Sequence, residues 1–204
     1  MDRGNTKQEI LAASLRLFSV QGFEATSISQ IANVVGIRKA SLYSHFESKQ
    51  AILDALVREI LEQYGNHSIF TRTDWEAEDI RDINAETVSQ MIQAQLHYIL
   101  HDPYISSARK MLVIEQFQNP ELARLQTKQN YSDVLQYFTG FVNCLLRRGV
   151  LAGDDPQLMA AQLCLPISVW INLCDREPER EAEVMELVGR HLQQFFRLYG
   201  NERV

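Results

Sequence analysis

The chain has 204 residues, 46% of them hydrophobic and 23% charged, which gives ample core for one larger domain or a small domain joined to a medium one. There is no run of about 18 apolar residues and so no expected membrane-crossing helix, and the N-terminal MDRGNTKQEI lacks the apolar stretch of a secretory signal; Cys144, Cys164 and Cys174 are widely spaced without a Cys-x-x-Cys, so neither a disulfide framework nor a zinc site is expected and a reducing cytoplasm is. The net charge of −6 is unevenly divided: residues 1–50 carry six Lys/Arg and four Asp/Glu, residues 51–204 fourteen and twenty-two, so a mildly basic head on an acidic body leaves nucleic acid open as a partner at one end.

Helical periodicity dominates, and no alternating strand of useful length is present. Thr6 and Glu9 have capping-box spacing ahead of an apolar stripe of Ile10, Ala13, Leu17 and Phe18. Gly22 is expected to stop that helix. Ser27 and Gln30 form a second capping box, opening a short helix with Ile28, Ile31, Ala32 and Val35 that Gly36 ends. The next helix spans Arg38 to Phe46. Two short helices across a tight glycine-bearing turn make a helix-turn-helix. A fourth helix is expected from Ser48 to about Tyr64, with Ile52, Leu53, Leu56, Ile60 and Leu61 inward. Residues 65–84 are polar and read as a loop or hinge. Helices resume at 85–101 and 103–118. A long one is expected over 120–148, started by Asn119-Pro120 and stopped by Gly149. Asp155-Pro156 opens another, which Pro166 is expected to kink, and a last helix covers 179–199 before Gly200. The fold class is all-α with about nine helices: an N-terminal three-helix helix-turn-helix domain over residues 1–50 and a larger helical domain over 51–204.

The segment GIRKASLYSHF, Gly36 to Phe46, carries the most chemistry. At about 100° per residue, Leu42 and Phe46 share one direction and, with Ile37, anchor the helix. Ala40 and Ser44 point the opposite way, flanked by Ser41 and Tyr43. A solvated helix has no need of so small and hydroxyl-rich a face. A helix lying in a major groove has, because small residues permit close approach and hydroxyls bond bases or phosphates. Arg38 and Lys39 sit at the helix start, the end such a helix presents to the bases. Lys49 adds a cation at the next helix N-terminus, which favours phosphate.

The residues Ile10, Ala13, Leu17, Phe18, Gly22, Phe23, Thr26, Ile28, Ile31, Ala32, Gly36, Leu42, Tyr43, His45, Phe46, Lys49 and Leu53 together resemble the DNA-binding domain of the TetR family of transcriptional regulators. LYSHF with Lys49 three residues later is the most distinctive part, and the resemblance covers about a quarter of the chain. It implies that Lys39, Ala40 and Ser41 touch base edges, that Tyr43, His45 and Lys49 touch phosphates, and that Thr26 and Ser27 also hold the backbone. Two positions depart from the family pattern. Arg38 stands where a small capping residue is usual, so this helix start is expected to lack a side-chain cap. Ala40 stands where glycine is common, and its methyl suits a thymine methyl.

A head this small reads a long site only in pairs about 34 Å apart, so a homodimer on double-stranded operator DNA is expected. The last two helices are too apolar to face one core. Leu158, Leu165 and Val169, with Val188, Leu192, Phe195, Phe196 and Tyr199, are the interface candidates. By the same resemblance the middle helices enclose a small-molecule effector pocket, with Tyr98, Met111, Glu115, Tyr131, Leu135 and Phe138 as candidates. Glu115 lies in the apolar run KMLVIEQF, and a buried carboxylate needs a partner. No catalytic motif is present, so no enzyme and no cofactor are expected. His97 and His101 have the i, i+4 spacing of metal ligands, but no glutamate or cysteine lies close by in sequence, so no metal is expected either. The expected function is a dimeric repressor released from its operator by a small-molecule effector. The alternative is a helical protein-interaction module whose helix-turn-helix contacts protein rather than DNA.

Overall fold

The structure is a computed structural model that describes residues 3–67 and 84–201. Among the described residues the chain is helical, with no strand beyond one isolated bridge between Leu151 and Gly200. The helices are α1 (Arg3–Ala25), α2 (Ile28–Val35), α3 (Lys39–Tyr43), α4 (Lys49–His67), α5 (Ala85–His101), α6 (Pro103–Glu115), α7 (Pro120–Thr127), α8 (Asp133–Arg147), α9 (Pro156–Arg176) and α10 (Glu181–Tyr199). Most of the segment read as a loop over 65–84 lies outside the described residues; its first three residues belong to α4.

Packing divides the chain into two compact units. One unit joins α1–α4 to α6 and nearly all of α7; the other holds α5 and α8–α10. In the first, Ile10 and Phe18 of α1, Ile31 of α2, Leu42 of α3, Ile52 and Leu56 of α4, Met111 and Leu112 of α6 and Leu122 of α7 form one core. α1 packs along α6 as well as on α2 and α4. This second partner explains why Leu11 and Leu15 are buried beside the predicted stripe. Leu61, read as inward, is exposed on α4, and Val57 takes a core place.

Several helix ends are built by local chemistry that the sequence announces. Ser27 caps α2 in a complete capping box: its hydroxyl accepts from Gln30 N–H at 3.2 Å, and Gln30 Oε1 accepts from Ser27 N–H at 2.7 Å. Gly36 closes α2 at φ 76°, with Ile37 N–H returning to Ala32 O at 3.0 Å. Asn119 and Asp155 accept from the first-turn amides of α7 and α9. The Thr6–Glu9 box does not form. α1 begins a turn earlier, at Arg3, so Thr6 is a buried residue inside the helix and Glu9 accepts from Asn5 instead.

In the second unit the helix expected over 120–148 is interrupted by a π-helical turn at Lys128–Ser132, across which Lys128 pairs with Asp133. The turn separates α7, which serves the first core, from α8, which serves the second. α9 continues as one helix through Pro166, which withholds one helical donor without ending it. Among the described helices α9 is long and apolar enough to cross a membrane by length and composition alone, although Gln162, Pro166, Ser168 and Asn172 interrupt any continuous apolar run. Its Met159, Ala160, Leu163, Cys164, Ile167 and Cys174 instead fill the core made with α8 and with Val184, Val188, Leu192 and Phe195 of α10.

Candidate nucleic-acid interface

α3 is short because its end tightens. Ser44 N–H and His45 N–H bond carbonyls three residues back, Ser41 O at 3.2 Å and Leu42 O at 2.9 Å, which tightens the turn after Tyr43, while Phe46 N–H returns to Leu42 O at 3.1 Å. Arg38 at its N-terminus makes no side-chain cap. The helix is held from behind: Leu42 is 0% and Phe46 6% exposed, and Ile37 packs against the same core. Arg38, Lys39, Ala40, Ser41, Tyr43 and Ser44 are all exposed, and His45 is half-buried. The apolar side and the small, hydroxyl-bearing side are therefore separated as the residue pattern requires. Ser44 Oγ donates to Ser41 O at 2.7 Å, which fixes its oxygen as an outward acceptor.

Three residues named for phosphate contact also work inside the protein. Thr26 is 1% exposed. Its hydroxyl donates to Gly22 O at 2.7 Å and accepts from Gln21 Nε2 at 3.0 Å, which makes it a brace of the α1–α2 corner. Ser27 is exposed, and the capping bond leaves its hydroxyl proton unused. Lys49 Nζ donates to Phe23 O at 2.6 Å and Glu24 O at 3.3 Å and stands 4.1 Å from the centre of the Phe23 ring. The ammonium thus neutralises carbonyls at the end of α1 and stacks on an aromatic face.

The same corner holds a contact that no local pattern reveals. Gly22 adopts φ 81°, ψ 167°, a region open almost only to glycine, and kinks α1 three residues before its end. The kink leaves Phe23 N–H pointing outside the helix, where it donates to Glu115 Oε1 of α6 at 2.6 Å. A Cβ on Gly22 would sit 3.1 Å from that oxygen and 3.2 Å from Ile114 Cγ2. Glu115, 5% exposed, is thus bonded to the reading head itself. Its place in an apolar run was the one signal that it needed a partner; the partner lies 92 residues away.

The other pocket candidates divide between the units. Met111 is fully buried in the first core. Phe138 is buried in the second with Leu135 packed on it, while Tyr98 and Tyr131 are exposed. Of the interface candidates, Val188, Leu192 and Phe195 are buried in the chain's own second core, so they lie behind the surface rather than on it. Leu158 and Val169 stand outward on α9, with Leu165 partly exposed between them; on α10, Phe196 and Tyr199 are partly exposed and Leu198 is exposed.

Two family models match the chain: bacterial regulatory proteins of the tetR family over residues 10–56, and the C-terminal domain of AefR-like transcriptional repressors over residues 86–201. The chain belongs to the TetR family of transcriptional regulators. Members are DNA-binding regulators rather than enzymes. The uncharacterised regulator YerO of Bacillus subtilis (strain 168) is 49% identical over 47 residues, which are 23% of this chain and only 16% of that protein. A TetR-family regulator from Mesorhizobium loti MAFF303099 has the same fold over 98% of this chain and 100% of its own, with TM-score 0.67 and 22% identity. SmeT, the repressor of a multidrug efflux pump of Stenotrophomonas maltophilia, in complex with triclosan, matches over 98% of this chain and 93% of its own, with TM-score 0.64 and 18% identity.

Proposed function

We propose that this TetR-family regulator is a homodimeric repressor that a small apolar effector draws off its operator. The observation that carries the reading is the two-sided α3: Leu42, Phe46 and Ile37 fixed behind, Lys39, Ala40, Ser41 and Tyr43 open in front. Lys39 and Ser41 read bases and Ala40 allows the helix to approach the groove. Arg38, Tyr43, Ser44 and His45 hold phosphates. Lys49 and Thr26 act mainly by keeping the α1–α2 corner in shape, and Ser27 offers its hydroxyl proton at the start of α2. The dimer forms through the outward apolar rows of α9 and α10, Leu158, Leu165 and Val169 with Phe196, Leu198 and Tyr199, an arrangement with the self-complementary character of a two-fold contact.

The effector reading draws on SmeT, which binds triclosan, and on the aromatic and aliphatic candidates Tyr98, Tyr131, Leu135 and Phe138 of the second unit. Asp102 alone separates α5 from α6, and it caps α6 by accepting from Tyr104 N–H and Ile105 N–H. Within the first unit the Glu115 bond to Phe23 N–H ties α6 to the corner that sets the pose of α2 and α3. The effector and DNA then favour different poses and weaken each other by the same factor.

A selection of bound duplexes from random DNA by the purified chain tests this. The expected product is a palindrome whose half-site centres lie about 34 Å apart, or a multiple of that, and whose recovery falls when triclosan-like phenols are added. Enrichment of single half-sites only would overturn the dimer, and no enrichment at all would overturn the DNA-binding reading and leave the helix-turn-helix to protein contacts.

A further inference from the structure

The seam between α5 and α10 ends in a cluster that the DNA-binding reading does not use. Along α5, Ser89, Gln93, His97 and His101 stand four residues apart, so they form one row on one helix face. α10 presents a matching row in the opposite direction. Gly189 lies against Ser89 and Gln93, where a Cβ would sit 3.8 Å from Ser89 Oγ and 3.6 Å from Gln93 Nε2. Gln93 Nε2 donates to Met185 O at 3.2 Å. One turn further, Glu181 meets the two histidines. Its Oε1 is 2.9 Å from His101 Nε2 and 4.0 Å from His97 Nδ1, and the two imidazole centres are 4.3 Å apart. One donor atom from each of the three side chains lies within 4.8 Å of the others.

We propose that His97, His101 and Glu181 bind one divalent transition-metal ion of the zinc type. The donor set decides the class: two imidazole nitrogens with one carboxylate oxygen suit Zn²⁺, Co²⁺ or Ni²⁺, whereas Mg²⁺ and Ca²⁺ require oxygen. The spacing decides the fit. Ligand bonds of about 2.0–2.2 Å in a tetrahedron place donor atoms about 3.3–3.6 Å apart. The present separations bracket that range, so small rotations of surface side chains close the site without moving either helix. The helices themselves are held by packing, with Val88 and Leu96 of α5 and Val184 and Val188 of α10 in one core, so the ligands are gathered before the ion arrives. Arg180, the nearest cation in the chain to Glu181, is turned to Glu183 at 2.6 Å and Glu177 at 3.3 Å and does not compete for Glu181. His97 and His101 are 70% and 50% exposed, which gives the ion an entry path and leaves a fourth position to water. The ion ties the end of α5 to the first turn of α10 and stabilises the folded chain by linkage.

The test uses the full chain without a histidine tag and needs no DNA. After metal removal, Zn²⁺ is titrated in competition with a chromophoric chelator, and Mg²⁺ serves as the hard-ion comparison. The expected result is one Zn²⁺ per chain, a rise in Tm with Zn²⁺ and none with Mg²⁺. His97→Ala, His101→Ala and Glu181→Gln should each weaken Zn²⁺ binding by at least about tenfold, the scale on which even the outer partners of metal ligands act. Circular dichroism of the metal-free variants, unchanged from the parent, separates loss of a ligand from loss of fold. Absence of stoichiometric Zn²⁺ binding, or binding that all three substitutions leave unchanged, overturns the site; the His101–Glu181 contact is then a hydrogen bond and no more.

Discussion

Glu115 shows what a single residue does to the reading head. It is a buried acid on α6, and the acceptor of an amide that the Gly22 kink leaves outside α1. Glu115→Ala removes that acceptor without replacing it. The expected loss is about 1–3 kcal/mol in urea unfolding, the cost of an unsatisfied buried amide; no loss would mean that the bond is incidental to the corner. Gly22→Ala should cost a similar amount, because the backbone there is one that other residues avoid. A second residue-scale prediction concerns Cys164. Burial pushes its thiol from an ordinary 9.0 up to about 11. The folded value is the raised one, so the thiol's contribution to stability is complete below pH 9 and is lost as pH rises through 11. Native protein at pH 8 should leave Cys164 unmodified by iodoacetamide while denatured protein alkylates it; equal rates would contradict its burial. The partners of Glu115 and of His97 were illegible in the sequence for one reason. Glu115 meets Phe23 and His97 meets Glu181 across 92 and 84 residues, and helical periodicity reports only neighbours three or four apart.

At the scale of the element, legibility followed the local chemistry. Ser27 with Gln30, Gly36, Asn119-Pro120 and Asp155-Pro156 each place a helix end through bonds within a few residues, and each is found where its pattern stood. Thr6 with Glu9 has the same pattern and fails, because α1 is also packed along α6 and extends past that start. The two sides of α3 were legible because Leu42 and Phe46 fall one turn apart. The length of α3 was not, since the tightened bonds at Ser44 and His45 leave no mark in composition. Leu42 joins α3 to the core at 0% exposure. Leu42→Ala is expected to cost about 2–5 kcal/mol in chemical denaturation and to weaken duplex binding even under conditions where the chain stays folded. A loss of stability with duplex affinity intact would mean that the pose of α3 does not depend on its anchor.

For the whole molecule, the division into two units assigns two kinds of work. α6 and α7 belong by packing with the reading head, although they follow α5 in sequence. One core unites Ile10, Ile31, Leu56, Met111 and Leu122, so α6 and α7 pack with α1, α2 and α4. The second unit carries outward apolar side chains that its own core does not need, Leu158 and Val169 on α9 and Leu198 on α10. Val169→Asp should convert a dimer to a monomer in sedimentation velocity, and duplex binding should fall with it; an unchanged sedimentation coefficient would move the dimer contact elsewhere. The central claim is that the exposed side of α3 lies in a major groove. The measurement that reaches it most directly is duplex affinity by fluorescence anisotropy across a salt series, for the parent chain and for Tyr43→Ala and Lys39→Ala. Log K should fall linearly with log salt, with a slope of about −0.9 per phosphate neutralised. Tyr43→Ala should weaken all duplexes alike, and Lys39→Ala should change their ranking. Affinity that ignores salt and both substitutions would contradict the account.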